Sequence, residues 1–174
     1  MKKIKNLSES SFLKLFFTFI TAAFLIAAVC MPDRADMFAG LVRILTSPAK
    51  VSTNFFSVGG FAGTFLNMGL VATAMTALYH FSKTKVNNVS TLAFLLTLGF
   101  CSWGIHILNM WFPILGVMLY CVLKKERFGD HTNAMLFSTG IAPLITDLMI
   151  RYPHAEAVGF NLPGIGLSLL VGAV

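Results

Sequence analysis

Few residues with chemically active side chains interrupt the long apolar stretches of this 174-residue sequence. Asp147 is the only acidic residue inside a predicted membrane span. An ionisable side chain within the bilayer is costly and is functional by default, so Asp147 is a candidate for coupling protons or cations. The alternative is structural, because Arg151 follows one helical turn later and could pair with Asp147 at the interface.

His106 and Asn109 form a second candidate group. They share a helical face within the stretch Gly104–Pro113. Both side chains could line a pathway, and a histidine titrates near neutral pH. The alternative is that the two side chains only satisfy buried backbone groups.

A third candidate group combines glycines with two asparagines. Gly59 and Gly63 have the GxxxG spacing that lets two helices approach closely, and Gly60 lies between them. Asn54 precedes these glycines and Asn67 follows them. Polar side chains beside glycines at membrane depth are typical of a broken helix that presents its backbone to a substrate. Simple helix packing is the alternative.

A second interrupted apolar segment contains Asn161, Pro163 and Gly164. Proline and glycine break a helix, and the asparagine side chain can satisfy the freed backbone groups. Two apolar segments interrupted by glycine or proline are the best sequence indication of a transporter's binding site. Ordinary kinks would give the same pattern.

No catalytic or metal-binding motif accompanies these residues. The sequence has no HExxH, P-loop or GxGxxG motif and no nucleophile elbow. The three cysteines, Cys30, Cys101 and Cys121, form no CxxC pair and no cluster with histidine. We therefore expect no catalytic residue, no metal and no cofactor, in a protein that is not an enzyme.

The composition is that of a membrane protein. Hydrophobic residues make up 56% of the chain and charged residues only 11%, against roughly 25% charged in soluble domains. These values exclude a disordered chain, a nucleic-acid-binding domain and an ordinary cytosolic enzyme. The net charge of +6 comes from short basic clusters between apolar stretches, as the positive-inside rule predicts for a protein whose partner is the lipid bilayer.

The first half of the chain predicts two spans with irregular structure between them. Phe12–Met31 is a span with its N-terminus in the cytoplasm, and it is too long for the apolar core of a signal peptide. Pro32–Lys50 is either a short amphipathic helix at the outer interface or a plain loop. Val51–Ser82 is too long for one span and too short for two, so we expect a re-entrant or broken element that leads into one full span.

Val86–Leu123 decides the topology of the second half. A single crossing would place Lys83 and Lys85 on the side opposite Lys124 and Lys125, against the positive-inside rule. The charges therefore predict a tight hairpin of two short spans, with its tip in Gly104–Pro113.

The last apolar stretches complete the predicted bundle. His131–Ile150 is a further span, and Gly159–Val174 starts another without a polar flank. We expect an all-α polytopic membrane bundle of five to six transmembrane helices with a short hairpin and broken or re-entrant segments. Residues 1–174 would be one membrane domain that is half, or a fragment, of a longer chain.

Several stretches resemble an uncharacterised domain-of-unknown-function family of bacterial multi-pass inner-membrane proteins. The residues that carry the resemblance are Ser47–Val51, Asn54–Gly60 with Phe65–Asn67, Phe112–Val117, Lys124–Glu126 and Ile141–Leu144. The resemblance covers nearly the whole chain. It implies an inner-membrane location and members longer than this chain, and it assigns no activity and no functional residue.

Taken together, the sequence predicts a transporter or channel-like protein, or half of one, for an unidentified small solute or ion. The alternative is a structural or assembly subunit whose partner is a second half of the same chain or another copy of it. The predicted pathway residues are Asn54, Gly59, Gly60, Gly63, Asn67, His106, Asn109, Asp147, Asn161, Pro163 and Gly164.

Overall fold

Eight α-helices make up the protein in a computed structural model that describes residues 8–47, 53–153 and 159–173. Helical turns of the 3-10 type occur at Arg34–Asp36 and Thr139–Ile141, and the described ranges contain no strand, which confirms the all-α class. The helices are α1 (Glu9–Cys30), α2 (Met37–Thr46), α3 (Phe55–Phe81), α4 (Asn88–Phe100), α5 (Trp111–Lys124), α6 (Phe128–Ser138), α7 (Ala142–Arg151) and α8 (Leu162–Ala173).

Three helical stretches are long and apolar enough to cross a membrane: Glu9–Cys30, Phe55–Phe81 and Phe128–Arg151, the last formed by α6 and α7 together. They support the predicted membrane character. The count of five to six spans would also need the shorter helices, and it stays a prediction. The N-terminal lysines, Lys50 and the terminal Val174 lie outside the described residues.

Antiparallel packing of α1 on α3 forms one half of the core. Ser8 caps α1, and the rings of Phe17 and Tyr79 lie 5.4 Å apart. One turn after Phe17, the hydroxyls of Thr21 and Thr76 lie 3.1 Å apart. The partner of Thr21 on α3 therefore precedes the partner of Phe17 in sequence, which shows that the two helices are antiparallel. Two successive membrane spans have this arrangement.

The amphipathic segment between these helices is the predicted short helix, not the alternative loop. Ile44 of α2 is fully buried, while Phe38 and Val42 are exposed. The buried face packs against α3. The helix is therefore the correct one of the two alternatives, and its location at the outer membrane interface stays a prediction.

The predicted break in the Val51–Ser82 segment is confirmed at Gly60, whose φ of 71° and ψ of −179° are not helical. The Phe55 N–H donates to the carbonyl of Ser102, and the Asn67 amide donates to the carbonyl of the neighbouring Cys101. In a straight helix Phe55 and Asn67 would be about 18 Å apart. The break therefore folds the first turn of α3 back beside the longer second part.

Val86–Leu123 forms two helices, but its connection differs from the predicted hairpin tip. The arms α4 and α5 have 13 and 14 residues, and each packs against α6. The connection, residues 101–110, starts three residues before the predicted tip Gly104–Pro113 and overlaps most of it. Ile105 and Met110 are buried inside the protein, whereas Trp103 and Leu108 are 49% and 43% exposed.

Both basic loops lie at one end of the bundle. The Thr84 hydroxyl donates to the carbonyl of Gly129 at 2.8 Å, which joins the loop after α3 to the start of α6. The Val86 N–H donates to the hydroxyl of Ser10, at the start of α1. The lysines of the two loops therefore share an end, as the charge argument for two crossings requires. We call it the basic end.

Candidate functional site

Three irregular backbone segments interrupt the helices of the apolar bundle. They are the break at Gly60, the connection 101–110 and the 3-10 turn Thr139–Ile141. The buried polar side chains around the last two define what we call the polar layer: Asn67, Thr97, His106, Asn109, Thr139 and Thr146. Each has a relative exposure of 3% or less. The polar layer therefore lies within an otherwise apolar part of the bundle.

Asn67 joins α3 to the connection 101–110. Its amide group donates to the carbonyls of Cys101 at 3.2 Å and Ile105 at 3.0 Å. Its side-chain oxygen accepts from the N–H of Ile107 at 3.2 Å. One fully buried side chain thus satisfies three backbone groups that no helix could satisfy, which is what an irregular segment at membrane depth requires.

His106 and Asn109 lie together, as their spacing predicted. Nδ1 of His106 accepts from the N–H groups of Leu108 and Asn109, both at 3.3 Å, so this network assigns the ring proton to Nε2. Nε2 lies 3.2 Å from the hydroxyl oxygen of Thr146. The Asn109 side chain accepts from the N–H of His106 at 2.9 Å. The geometry is that of the structural alternative, and the pathway role stays a prediction.

Thr146 closes this network from α7. Its hydroxyl oxygen accepts from Nε2–H of His106 and from the amide of Asn109, and the hydroxyl donates to the carbonyl of Ala142 at 3.2 Å. The same amide of Asn109 donates to the carbonyl of Gly104 at 2.8 Å. Sequence reasoning missed Thr146, Thr97 and Thr139, because threonines are common in apolar helices and only the folded structure shows which ones are buried.

Two different residues cap the two parts of the broken helix. The side chain of Asn54 accepts from the N–H of Phe56 at 3.0 Å, so Asn54 starts the first part. Both carboxylate oxygens of Asp33 lie 3.2 Å from the N–H of Ala62, at the start of the second part. A side chain on Gly60 would collide with the Asp33 carboxylate. Asn54 therefore has a capping role, and Asp33 is a residue of this region that the sequence analysis missed.

The glycine pair packs within the chain. A Cβ atom on Gly63 would lie 2.8 Å from the carbonyl carbon of Gly40 and 3.0 Å from its Cα atom, so α2 and α3 touch backbone to backbone. A Cβ atom on Gly59 would lie 2.5 Å from the side chain of Ile44. Gly59 and Gly63 therefore allow close helix packing, as GxxxG spacing predicts, and the partner helix is α2.

Asp147 forms the ion pair that its spacing with Arg151 allows. Nε of Arg151 lies 2.7 Å from Oδ1 of Asp147, and the side chains are 26% and 38% exposed. Asp147 follows Thr146 directly, so the pair lies next to the polar layer in sequence. A coupling role for Asp147 remains a prediction. In that role a proton or cation would have to compete with Arg151 for the carboxylate.

The second interrupted segment starts a helix and does not break one. The Asn161 side chain accepts from the N–H of Gly164 at 2.7 Å, and Pro163 lies in the first turn of α8, where a missing N–H does no harm. Gly164 lets α8 approach α7, because a Cβ atom there would lie 2.7 Å from the carbonyl oxygen of Leu148. The prediction that Pro163 interrupts a membrane helix was therefore wrong, since the apolar helix begins here.

One comparison with known proteins identifies the family. A family model described as "Protein of unknown function (DUF1576)" matches residues 33–174, which confirms the resemblance to a family of unknown function. No curated protein and no solved structure matches the chain. The matched range begins at Asp33, the cap of the broken helix, and includes every residue of the polar layer. The chain therefore belongs to the DUF1576 family of proteins of unknown function.

Proposed function

We propose that the protein is a transporter or channel-like protein, or half of one, that moves a small solute or ion through the polar layer. The observation that carries the proposal is the group of six buried polar side chains that lie at or near the irregular connection 101–110 and the 3-10 turn Thr139–Ile141 inside an apolar bundle. Irregular backbone at membrane depth is tolerated only where protein buries it or where it lines a wet cavity. Transporters place their substrate sites at such helix breaks.

The backbone carbonyls bound within the layer support the proposal. Asn67 and Asn109 occupy the carbonyls of Cys101, Ile105 and Gly104. Backbone carbonyls of this kind are the ligands that broken membrane helices offer to cations and polar solutes. The structure then corresponds to a closed state, in which two amide side chains hold the positions that a solute would take.

The proposed topology places the basic end in the cytoplasm of a bacterium, with the protein in the inner membrane. Lysines and arginines favour the cytoplasmic side, and both basic loops lie at this end together with the start of α1. Under this topology α4 and α5 are two short membrane arms. The connection 101–110 then lies within the bilayer, where only protein contacts can satisfy its backbone.

Asp147 is the proposed coupling residue. It is partly exposed, it is paired with Arg151, and it follows Thr146 of the polar layer. A proton or cation that binds to Asp147 would weaken the ion pair and free the end of α7 to move. Asp147→Asn should therefore abolish the dependence of transport on an ion gradient, whereas Glu126→Gln, at the basic end, should leave that dependence unchanged.

A flux experiment tests the function itself. The purified protein is reconstituted into liposomes, which are then shrunk by a sudden excess of one solute, with small neutral solutes and potassium or sodium salts tried in turn. Light scattering follows the re-swelling as that solute enters. We expect faster re-swelling than in empty liposomes for at least one solute. Equal rates in protein-containing and empty liposomes for every solute would contradict the proposal.

A second function is favoured by the exposed apolar face of α1. Phe12, Phe19 and Ile26 are 53%, 67% and 62% exposed and lie about two turns apart on one helix. An assembly subunit would use this face to contact a partner, either a second half of the same chain or another copy. Gly59 and Gly63 are not available for that partner, because they already pack against α2. Light scattering of the protein in detergent should then give an oligomer, which Phe19→Gln should dissociate.

A further inference from the structure

An open cleft at the basic end carries a second inference, independent of the polar layer. The cleft has a volume of about 400 Å³ and is lined by the loop after α3 and the start of α6. The residues that give it its character are Lys83, Lys85, Asn87, Arg127, Asp130 and Asn133. Three cations and one carboxylate therefore face one small volume.

The three cations have no partner within the part of the chain that the structure describes. The ion pairs found there are Arg43 with Asp36, His131 with Glu126 and Arg151 with Asp147. None of them includes Lys83, Lys85 or Arg127. A cleft with this excess of positive charge is complementary to a phosphate group.

An apolar groove leads to the same end of the bundle. It has a volume of about 480 Å³ and is lined by one face of α3, by Ile107 of the connection 101–110 and by Trp111 at the start of α5; the lining residues on α3 are Leu70, Thr73, Ala74, Ala77, Leu78 and Phe81. Phe81, which is 86% exposed, ends the groove, and the next residue, Ser82, lines the cleft. The groove and the cleft are therefore adjacent along the chain.

The length of the groove matches one leaflet of a bilayer. Leu70 and Phe81 are separated by about 16 Å along α3, and half of a bilayer's hydrocarbon core is about 15 Å deep. The groove would run from the surface at the basic end to the depth of Trp111. A soluble anion would occupy the cleft and leave the groove empty. A phospholipid would occupy both, with its phosphate in the cleft and an acyl chain in the groove.

We propose that the cleft and groove together bind one anionic phospholipid, with its phosphate headgroup among Lys83, Lys85 and Arg127 and an acyl chain along α3. A single basic residue near the membrane surface contributes about a fivefold gain in affinity for an anionic lipid. A zwitterionic lipid gains little from the excess charge. The site should therefore discriminate between phosphatidylglycerol and phosphatidylcholine.

Quenching of Trp111 fluorescence by brominated acyl chains tests the proposal. The sequence contains two tryptophans, Trp103 and Trp111, so the Trp103→Phe variant of the full chain fluoresces from Trp111 alone. It is reconstituted into vesicles of phosphatidylcholine with increasing fractions of brominated phosphatidylglycerol or brominated phosphatidylcholine. We expect half-maximal quenching at an about fivefold lower fraction of the anionic lipid. Equal quenching by both lipids would overturn the proposal.

Matched variants locate the site. Lys83→Gln with Lys85→Gln and Arg127→Gln should remove the preference and leave quenching by brominated phosphatidylcholine unchanged, which shows that the variant is folded. Lys124→Gln with Lys125→Gln removes charge from the same end but not from the cleft, and it should keep the preference. Loss of the preference in this control as well would mean a general surface effect. Glycerol phosphate at millimolar concentration should not reduce the quenching, and a reduction would indicate a soluble-anion site and contradict the lipid.

Discussion

The carboxylate of Asp33 accepts a hydrogen bond from the backbone N–H of Ala62, 29 residues later, with both oxygens 3.2 Å from that nitrogen. This contact caps the second part of a helix whose first part is capped by Asn54. A helix that is broken inside a bundle needs two caps, because each new N-terminus exposes N–H groups. The conformation at Gly60 is therefore maintained from a loop between α1 and α2.

Removing this cap should destabilise the protein. Asp33→Ala leaves the N–H of Ala62 without its partner, and loss of such a cap costs about 1 kcal/mol of stability. Thermal unfolding in detergent should show a lower midpoint for Asp33→Ala. Asp130→Ala, which removes an exposed carboxylate at the start of α6, is the control and should change the midpoint less. An unchanged midpoint in Asp33→Ala would contradict the capping role.

Gly60 should tolerate no side chain. Its φ of 71° with ψ of −179° lies in a region that is almost restricted to glycine, so Gly60→Ala should cost about 2 kcal/mol. Gly99→Ala is a matched control, because Gly99 is helical and a Cβ atom there meets nothing within 4 Å. Unfolding in detergent should separate the two variants, and equal stability of both would contradict the break.

The backbone contact between α2 and α3 gives a third prediction. Gly63→Ala places a Cβ atom 2.8 Å from the carbonyl carbon of Gly40, and overpacking of this kind costs about 1–3 kcal/mol. Because the obstacle is backbone, α2 has to move away from α3 and carry Ile44 with it. The measurement is protease sensitivity of the α2 segment, which should rise in Gly63→Ala and stay at the wild-type level in Gly99→Ala.

Thr146 should be essential for the polar layer. Thr146→Val keeps the volume but leaves Nε2–H of His106 without an acceptor and removes one of the two acceptors of the Asn109 amide, which should cost about 2 kcal/mol. Thr146→Ser restores the hydroxyl and should recover most of the stability. Thr73→Val is the control, since its hydroxyl bonds only within α3, to the carbonyl of Gly69. A loss in Thr73→Val as large as in Thr146→Val would contradict the account.

The pair of Asp36 and Arg43 predicts a pH dependence at the exposed surface of α2. The hydrogen bond from Arg43 lowers the pKa of Asp36 below its usual value. A carboxyl group with a lowered pKa in the folded protein stabilises it above the unfolded pKa, and that contribution disappears as the pH falls through the folded pKa. Asp36→Asn should therefore destabilise the protein at neutral pH, and this effect should shrink as the pH falls through the lowered pKa of Asp36, as unfolding over a series of pH values would show. A loss of equal size at every pH of the series would exclude the pair as the cause.

The sequence predicted those features that depend on local patterns. The apolar spacing around Ile44 indicated α2 as one of two alternatives, and the glycine-rich stretch from Gly59 to Gly63 indicated the break in α3. The positions of Lys83 and Lys124 predicted that Val86–Leu123 turns back to the same end. Each of these inferences needs only periodicity, glycine or charge within a short window.

The remaining features depend on contacts between distant parts of the chain. In the sequence, Asp33 cannot be distinguished from other acidic loop residues, because its contact with Ala62 exists only in the folded chain. Thr146 likewise cannot be distinguished from other threonines in apolar helices. The partners that bury part of the connection 101–110, Asn67 and Thr146, are about 40 residues away on either side and could not be predicted from the segment itself. Periodicity within one segment contains no information about such partners.

Whether the polar layer opens to water is the central question, and Cys101 is a natural reporter for it. Its thiol is buried and lies 3.2 Å from the carbonyl of Thr97, and its own carbonyl accepts from Asn67. With Cys30 and Cys121 replaced by alanine, Cys101 is the single target for a water-soluble methanethiosulfonate reagent in native membranes. Ala72→Cys in a cysteine-free chain is the control, because Ala72 is equally buried in the same apolar core.

The rate of Cys101 modification is therefore the most direct measurement. A transport pathway predicts that Cys101 reacts at least about tenfold faster than the cysteine at position 72, which corresponds to about 1.4 kcal/mol in the free energy of opening. Equal protection of both cysteines would mean a dry, permanently closed layer. That result would contradict the transport pathway and favour the assembly subunit.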